Sequence, residues 1–210
     1  MIKFDIITIF PDQIESFASV GVLRIAQNIG AIEIKAHNLR NWTHDKHKSV
    51  DDRPFGGGAG MVMRVDVVDR ALADLRKKNS KVILLDTKGK MYDQKAAESL
   101  KKEEHLILIA PHFEGIDQRV HEHLVDEVYS IGPYVLSGGE LPVMVIVDSI
   151  VRLLPGALGN PESLAEESYS EEFATEYPQY TRPAEYKGWK VPEILLSGNH
   201  QKIAEWRRNK

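Results

Sequence analysis

Residues 131–142, IGPYVLSGGELP, combine the features a chain needs to hold a flat, polar ligand by its backbone. The adjacent Gly138 and Gly139 allow positive φ and let a ligand or a second backbone come close, while Pro133 and Pro142 stiffen the two ends. Such a loop presents N–H and C=O groups in a fixed pattern, although a Gly-Gly pair taken alone more often marks a tight strand-to-helix connection with no ligand. A second glycine-rich stretch, DDRPFGGGAGMVM over residues 51–63, has four glycines in the five positions 56–60. It lacks the Lys and Ser/Thr of a phosphate-binding loop and the spacing of a dinucleotide fingerprint, so it reads as a loop that something approaches closely. Asp148 and Arg152 stand at i, i+4 and could pair on one helix face. His37, His44, His47 and the other histidines show no metal-ligand spacing, so no protein-bound metal site is expected.

The elements that must position these residues alternate. Residues 2–10 read as a buried strand; Pro11 opens a helix with apolar positions Ile14, Phe17, Leu23, Ile25 and Ile29, ended by Gly30. A short strand at 32–36 precedes the basic stretch around Trp42, and 65–78 has helical periodicity. KVILLD at 81–86 is a buried strand ending in a turn at 87–89; a helix over 93–102, a strand at 105–110 and a helix from near Asp117 to 125 follow. A short apolar segment at 125–129 leads to the 131–142 loop, and an amphipathic run continues to Leu154. The pattern predicts an α/β domain with a mostly parallel sheet and flanking helices. Ligands in such sheets gather at the carboxyl ends of the strands, where three loops lie: 84–89, 110–115 and 131–142. Beyond Pro155-Gly156 the chain is polar and acidic, without apolar periodicity, which reads as a flexible linker. A small unit closes it, with a cap at Ser197-Gly198-Asn199 before a basic helix.

Composition narrows the function classes. The 210 residues suffice for one large domain plus a small appendage. With no cysteine, disulfides and thiolate metal sites are excluded. The first residues, MIKFDIITIFPD, are neither a secretory signal nor a transit peptide, and no apolar run approaches the roughly 20 residues needed to span a bilayer. A soluble, cytoplasmic protein with no membrane partner is expected. The net charge of −4 argues against attraction of the whole surface to nucleic acid. Its distribution is uneven: 35–53 carries five Lys/Arg and three His against three Asp, 161–177 six Glu and no Lys/Arg, and 181–210 seven Lys/Arg against three Glu. Basic stretches interleaved with Trp42, Trp189 and Trp206 suit a folded RNA, and equally suit a solvated mixed-charge surface.

Taken in order, VDDRPFGGGAGMVM, EGID, SIGPYVLSGGELP, DSIVRLLPGALGN, PQYTRP and VPEILLSGNH closely resemble the bacterial tRNA (guanine-N1)-methyltransferases (TrmD-type) of the SPOUT superfamily. The resemblance spans nearly the whole chain. It implies methylation, from S-adenosylmethionine, of N1 of the guanosine just 3′ of the tRNA anticodon. It also implies a deep C-terminal trefoil knot, a homodimer with each active site at the subunit interface, and a Mg2+ ion assisting catalysis. The domains would be a SPOUT S-adenosylmethionine-binding domain at 1–159, a flexible acidic linker at 160–176 and a small, shortened, helical RNA-contacting domain at 177–210. Carried over residue by residue, the methyl donor would be held by Leu85, Pro111, Phe113, Gly115, Ile131, Gly132, Pro133, Tyr134, Val135, Leu136, Gly138, Gly139 and Pro142. Arg53, Pro54, Gly57, His112 and Glu114 would face the tRNA, Glu114 accepting hydrogen bonds from guanine or else only capping the helix near Asp117. Arg152 would stabilise negative charge on guanine O6, with a salt bridge to Asp148 as the alternative.

Guanine N1 is a poor nucleophile until its proton leaves, so the chemistry needs a base. Relatives place an Asp in the linker; the matching tetrapeptide here is Glu166-Glu167-Ser168-Tyr169, which makes Glu167 the base, one methylene further out. Two more departures stand out: Pro111-His112-Phe113 replaces the usual Gly-Arg-Tyr, and the turn at 84–89 differs from the usual Ser-Pro-Gln-Gly. With a C-terminal unit that stops soon after Trp206, they point to weaker RNA affinity or a different tRNA choice. Two alternatives therefore stay open: a SPOUT methyltransferase of another RNA target, and a binding module with reduced turnover.

Overall fold

The computed structural model describes residues 1–158, 168–169 and 176–208. Glu167 and most of the 160–176 linker lie outside the described residues. The chain divides into two compact units, Met1–Gly159 and Asn160–Lys210.

The first unit runs β1 (Ile2–Thr8), α1 (Pro11–Ala18), α2 (Gly21–Asn28), β2 (Ile32–Asn38), a 3-10 turn (Leu39–Trp42), β3 (Asp51–Asp52), β4 (Val62–Met63), α3 (Val65–Leu75), β5 (Ser80–Met91), α4 (Gln94–Leu100), β6 (His105–Ile109), α5 (Gln118–His123), β7 (Glu127–Ser130) and α6 (Glu140–Val151). Five strands form one sheet in the order β2-β1-β6-β5-β7, every pairing parallel. A parallel sheet needs cover on both faces, which is why its strands read as near-continuous apolar runs. Alternation sends Phe4, Ile6, Ile83, Leu85, Leu106 and Leu108 to one face, against Ile14, Leu23, Leu100 and the α6 residues Val143, Ile146, Val147 and Ile150. Ile7, Val82, Leu84, Ile107 and Ile109 go to the other, against Val67, Val68, Ala71 and Leu72 of α3 and Val120 of α5.

The structure amends several boundaries. The expected single helix from Pro11 to Ile29 is two, because Gly21 takes a left-handed φ of 58° after an extended Val20. The turn expected at 87–89 does not end β5. Leu85 and Lys90 both register with Tyr129, so 86–89 arcs out as a wide bulge and the strand resumes to Met91. α6 begins at Glu140, with Pro142 in its first turn, where a missing N–H leaves no hydrogen bond unmade. Asp117, not Glu114, caps α5, accepting from the Arg119 N–H at 2.9 Å.

Within the second unit, β8 (Glu185–Tyr186) and β9 (Trp189–Lys190) form a hairpin that the helical expectation omitted. Lys187 and Gly188 both take positive φ, the two-residue turn whose twist suits flanking strands. Two helices follow, α7 (Glu193–Leu196) and α8 (His200–Arg208). Asn199 caps α8 through its side chain, 3.1 Å from the Lys202 N–H.

Candidate active site

A cavity of about 390 Å³ opens beside the bulge of β5 and at the carboxyl ends of β6 and β7. Its walls are the 85–88 bulge, the 111–116 turn and the 129–139 loop, so the three loops singled out from sequence converge. Backbone contacts hold them together. The Gly139 N–H donates to the Pro111 carbonyl at 2.7 Å. A Cβ on Gly139 would lie 2.5 Å from Pro111 Cδ and 2.7 Å from Ala110 Cα, so the glycine is there for close approach and not for its φ, which is −83°. Met63 pins the middle loop: its N–H donates to the Gly115 carbonyl (2.9 Å), its carbonyl accepts from the Asp117 N–H (3.0 Å), and its Sδ accepts from the His112 N–H (3.1 Å). The Glu114 N–H reaches the Met61 carbonyl at 3.0 Å, which ties the glycine-rich stretch to the cavity lip.

Of the residues expected to hold the donor, Leu85, Pro111, Phe113, Gly115, Ile131, Gly132, Tyr134, Val135, Leu136, Gly138, Gly139 and Pro142 line the cavity. Pro133 does not. His112 and Glu114, expected to face tRNA, also line it, whereas Arg53, Pro54 and Gly57 do not. Arg152 closes α6, its N–H donating to the Asp148 carbonyl at 3.1 Å, and is not among the lining residues.

Under the floor lies a polar contact that sequence reading missed. Glu140, 4% exposed, receives the Thr8 hydroxyl on Oε1 at 2.8 Å. Its Oε2 faces His112 Nδ1 at 3.6 Å, beyond hydrogen-bond reach, and that buried ring nitrogen has no hydrogen-bond partner among the described residues. Phe113, on the lip, has φ of 61°, a conformation that costs a non-glycine residue about 1–3 kcal/mol and that recurs at ligand sites. Burial and then the Glu127 carboxylate push the Tyr129 hydroxyl up. Burial alone would raise Glu127, but hydrogen bonds from Lys81 and Lys90 (2.6 and 2.7 Å) outweigh it and hold that carboxyl at about 2.

Asp86, Thr87 and Lys88 also line the cavity, on the bulge that sequence alone read as a turn. Asp86 Oδ2 meets His121 Nε2 at 3.1 Å. Their place at a strand's carboxyl end was a usable signal; for Glu140 and Thr8, 132 residues apart, none existed. Among the described residues no cluster of three or more His, Asp or Glu could hold a metal ion, and no helix is long and apolar enough to cross a membrane.

A nucleoside-sized ligand suits this cavity: the volume falls within the range of small-molecule sites, about 300–1,000 Å³. Apolar walls at Leu85, Ile131 and Leu136 alternate with backbone polar groups, and the lining carries charges of both signs, the carboxylates of Asp86 and Glu114 and the ammonium of Lys88.

The family model described as tRNA (Guanine-1)-methyltransferase TrmD matches residues 2–210 of the chain. A tRNA (guanine-N(1)-)-methyltransferase of Dictyoglomus turgidum is 52% identical over 99% of the chain and 84% of its own length. Proteins of the same name from Bacillus pumilus (51% identical, 98% of the chain, 85% of the relative) and Carboxydothermus hydrogenoformans (48%, 98% and 81%) are similar over the same extent.

Proposed function

The chain belongs to the tRNA (guanine-1)-methyltransferase family, and from that premise we propose that it transfers a methyl group from S-adenosylmethionine to N1 of the guanosine on the 3′ side of the tRNA anticodon. The observation that carries this reading is the cavity of about 390 Å³ built from the 85–88, 111–116 and 129–139 segments, with Glu114 on its lip.

Bound there, the donor supplies a methyl on a positively charged sulfur, already activated for transfer. The chain's residues do the rest. Loop 131–139 grips the nucleoside by backbone groups, and Gly139 keeps that loop seated on Pro111. Glu114 accepts from the guanine amino edge and orients N1. Glu167 takes the N1 proton, since ring nitrogen must be deprotonated to attack. Arg152 offsets the negative charge that then develops on O6. The Glu167 and Arg152 roles rest on the match of Glu166-Glu167-Ser168-Tyr169 and DSIVRLLPGALGN to the family pattern. A Mg2+ ion assisting the transfer would be held by donor and RNA, since no cluster of three or more His, Asp or Glu among the described residues could hold it. We read 1–159 as the donor-binding domain, 160–176 as a tether carrying the base, and 177–210 as an RNA-contacting unit, working in the cytoplasm.

We also read the 130–139 segment as threaded to form a deep trefoil knot. In support, a Cβ on Gly89 would lie 2.6 Å from the Tyr129 backbone, and the Tyr92 N–H donates to the Ser130 carbonyl at 2.8 Å. On the other side Gly139 is bonded to Pro111, so the segment is held from both sides. A crystal structure in which the segment passes beside the 86–91 arc would overturn this. Homodimerisation is favoured by apolar side chains left exposed on α2 (Ile25), at its C-cap (Ile29) and on α6 (Leu141 and Val145). A monomer by sedimentation at micromolar concentration would refute it.

The test is transfer of a labelled methyl group to tRNA transcripts carrying G or A after the anticodon. Label should enter only the G form and be lost in Glu167→Gln and Arg152→Ala. Binding of the donor without transfer to any transcript would replace this reading with that of a binding module.

A further inference from the structure

Phe55 is 99% exposed, more than any other large apolar side chain among the described residues. Burying a phenylalanine contributes about 1.5–3 kcal/mol, and this one contributes nothing to the described fold. Its backbone, by contrast, is well placed. The β3–β4 pairing, Asp51 with Met63 and Asp52 with Val62, closes the loop at its base, and the Gly57 N–H donates to the Pro54 carbonyl at 3.3 Å. At its far side Gly60 packs directly against the Glu114 side chain, which lines the donor cavity. The loop therefore holds an exposed aromatic ring five residues from Gly60, the point where it meets the cavity through Glu114, and it follows a stretch, 35–53, with five Lys/Arg and three His against three Asp.

Resting on the function proposed above, we infer that Phe55 is a substrate-binding residue that stacks on a tRNA base adjacent to the target guanosine. Drawing the target base out of its stack brings N1 to a side chain, and the neighbour it abandons exposes a π-face. An aromatic ring replaces the lost stacking partner at little entropic cost, because a phenylalanine has only two side-chain torsions to fix. A second copy of the chain would be the other occupant of such a ring; the loop's contact with Glu114 of the cavity through Gly60, and the surplus of Lys/Arg over Asp in the preceding 35–53, favour RNA.

The experiment uses the full-length protein and an anticodon stem-loop transcript with 2-aminopurine on the 5′ or 3′ side of the target guanosine. Stacking quenches its fluorescence in the wild type at one of the two positions. Phe55→Ala and Phe55→Leu should abolish that quench and raise KM for tRNA about 5- to 100-fold, the range of one base-aromatic stack, with donor affinity by calorimetry unchanged. Phe55→Trp should retain both. The inference is overturned if neither position is quenched in the wild type, if Phe55→Leu matches the wild type, or if Phe55→Ala alters only sedimentation, which would assign the ring to a subunit contact. The quench is read without turnover, so a wild type that stacks the probe yet transfers no methyl refutes the proposed reaction and leaves the stacking assignment standing. Because the ring is 99% exposed among the described residues, none of these substitutions should lower the melting temperature.

Discussion

Two carboxylates held inside the first unit, Asp5 and Glu140, show how differently one fold treats its interior polar groups. Asp5 lies in mid-sheet, and both its oxygens are taken: Oδ1 faces His37 Nε2 at 2.7 Å, and Oδ2 faces His105 Nε2 at 2.6 Å. His105 continues the chain through Nδ1 to the Ser80 hydroxyl at 2.7 Å, linking four adjacent strands, β2, β1, β6 and β5, by side chains as well as by backbone. Burial would raise the Asp5 carboxyl, but the hydrogen bonds and charge of the two histidines leave it below the usual carboxylate range. At the strands' carboxyl ends Glu140 is satisfied on one oxygen only, near a His112 nitrogen with no hydrogen-bond partner among the described residues and a left-handed Phe113, while the 51–63 loop holds out the exposed ring of Phe55. Satisfied polar groups rigidify the sheet; groups left incomplete and strained mark where something else must come.

The sharpest way to break that contrast is to alter the rim and watch the chemistry. Gly139→Ala places a methyl group against Pro111 and Ala110, backbone that cannot swing away, so the 131–139 loop must shift. Loss of methyl transfer by about 100-fold or more is expected, since misplacement near 1 Å costs that much, with folding still cooperative by calorimetry. Retained activity would show that the close approach is incidental. The opposite behaviour is expected of Asp5→Ala, which leaves two histidine N–H groups without acceptors. Urea unfolding should show a loss of about 2–3 kcal/mol, with kcat unchanged at temperatures where the variant is folded. A fall in kcat there would mean that the sheet network reaches the site.

The smallest effect concerns Glu127, which sits beside Tyr129 at the cavity wall but is paired like Asp5. Its folded carboxyl titrates at about 2 against an ordinary 4.5. A depressed folded value contributes stability that is fully present above pH 4.5 and is lost as the pH falls through that interval. Glu127→Gln should therefore flatten the acid limb of a urea-midpoint profile between pH 4.5 and 2, and leave the neutral-pH activity alone. An unchanged acid limb would place Glu127 with the incomplete groups of the rim.

Much of this architecture could be read from residue order. The strands were legible because Val82, Ile83, Leu84 and Leu85 are apolar on both faces, as a covered parallel strand requires. The three loops that meet at the cavity were legible because each follows such a run. Other features had no local signature. Gly21 looked like one more helical position, yet it takes a left-handed φ and splits the helix. The 86–89 bulge looked like a turn, because only the pairing of Leu85 and Lys90 with one residue, Tyr129, reveals that the strand resumes. The hairpin at Lys187-Gly188 leaves little trace in the sequence, because two-residue strands carry almost no periodicity.

By itself the order of residues determined which segments form buried strands and which form helices, for those choices depend on periods of two and 3.6 and on turn chemistry within a few positions. It also carried the ordered motifs by which the family is known. What the tertiary structure alone decided is which distant groups meet: Thr8 with Glu140, Asp5 with His105, Gly60 with Glu114. Hydrogen bonds and close approaches act over about 3 Å, and a parallel sheet brings residues a hundred positions apart within that reach without leaving a trace in the spacing between them.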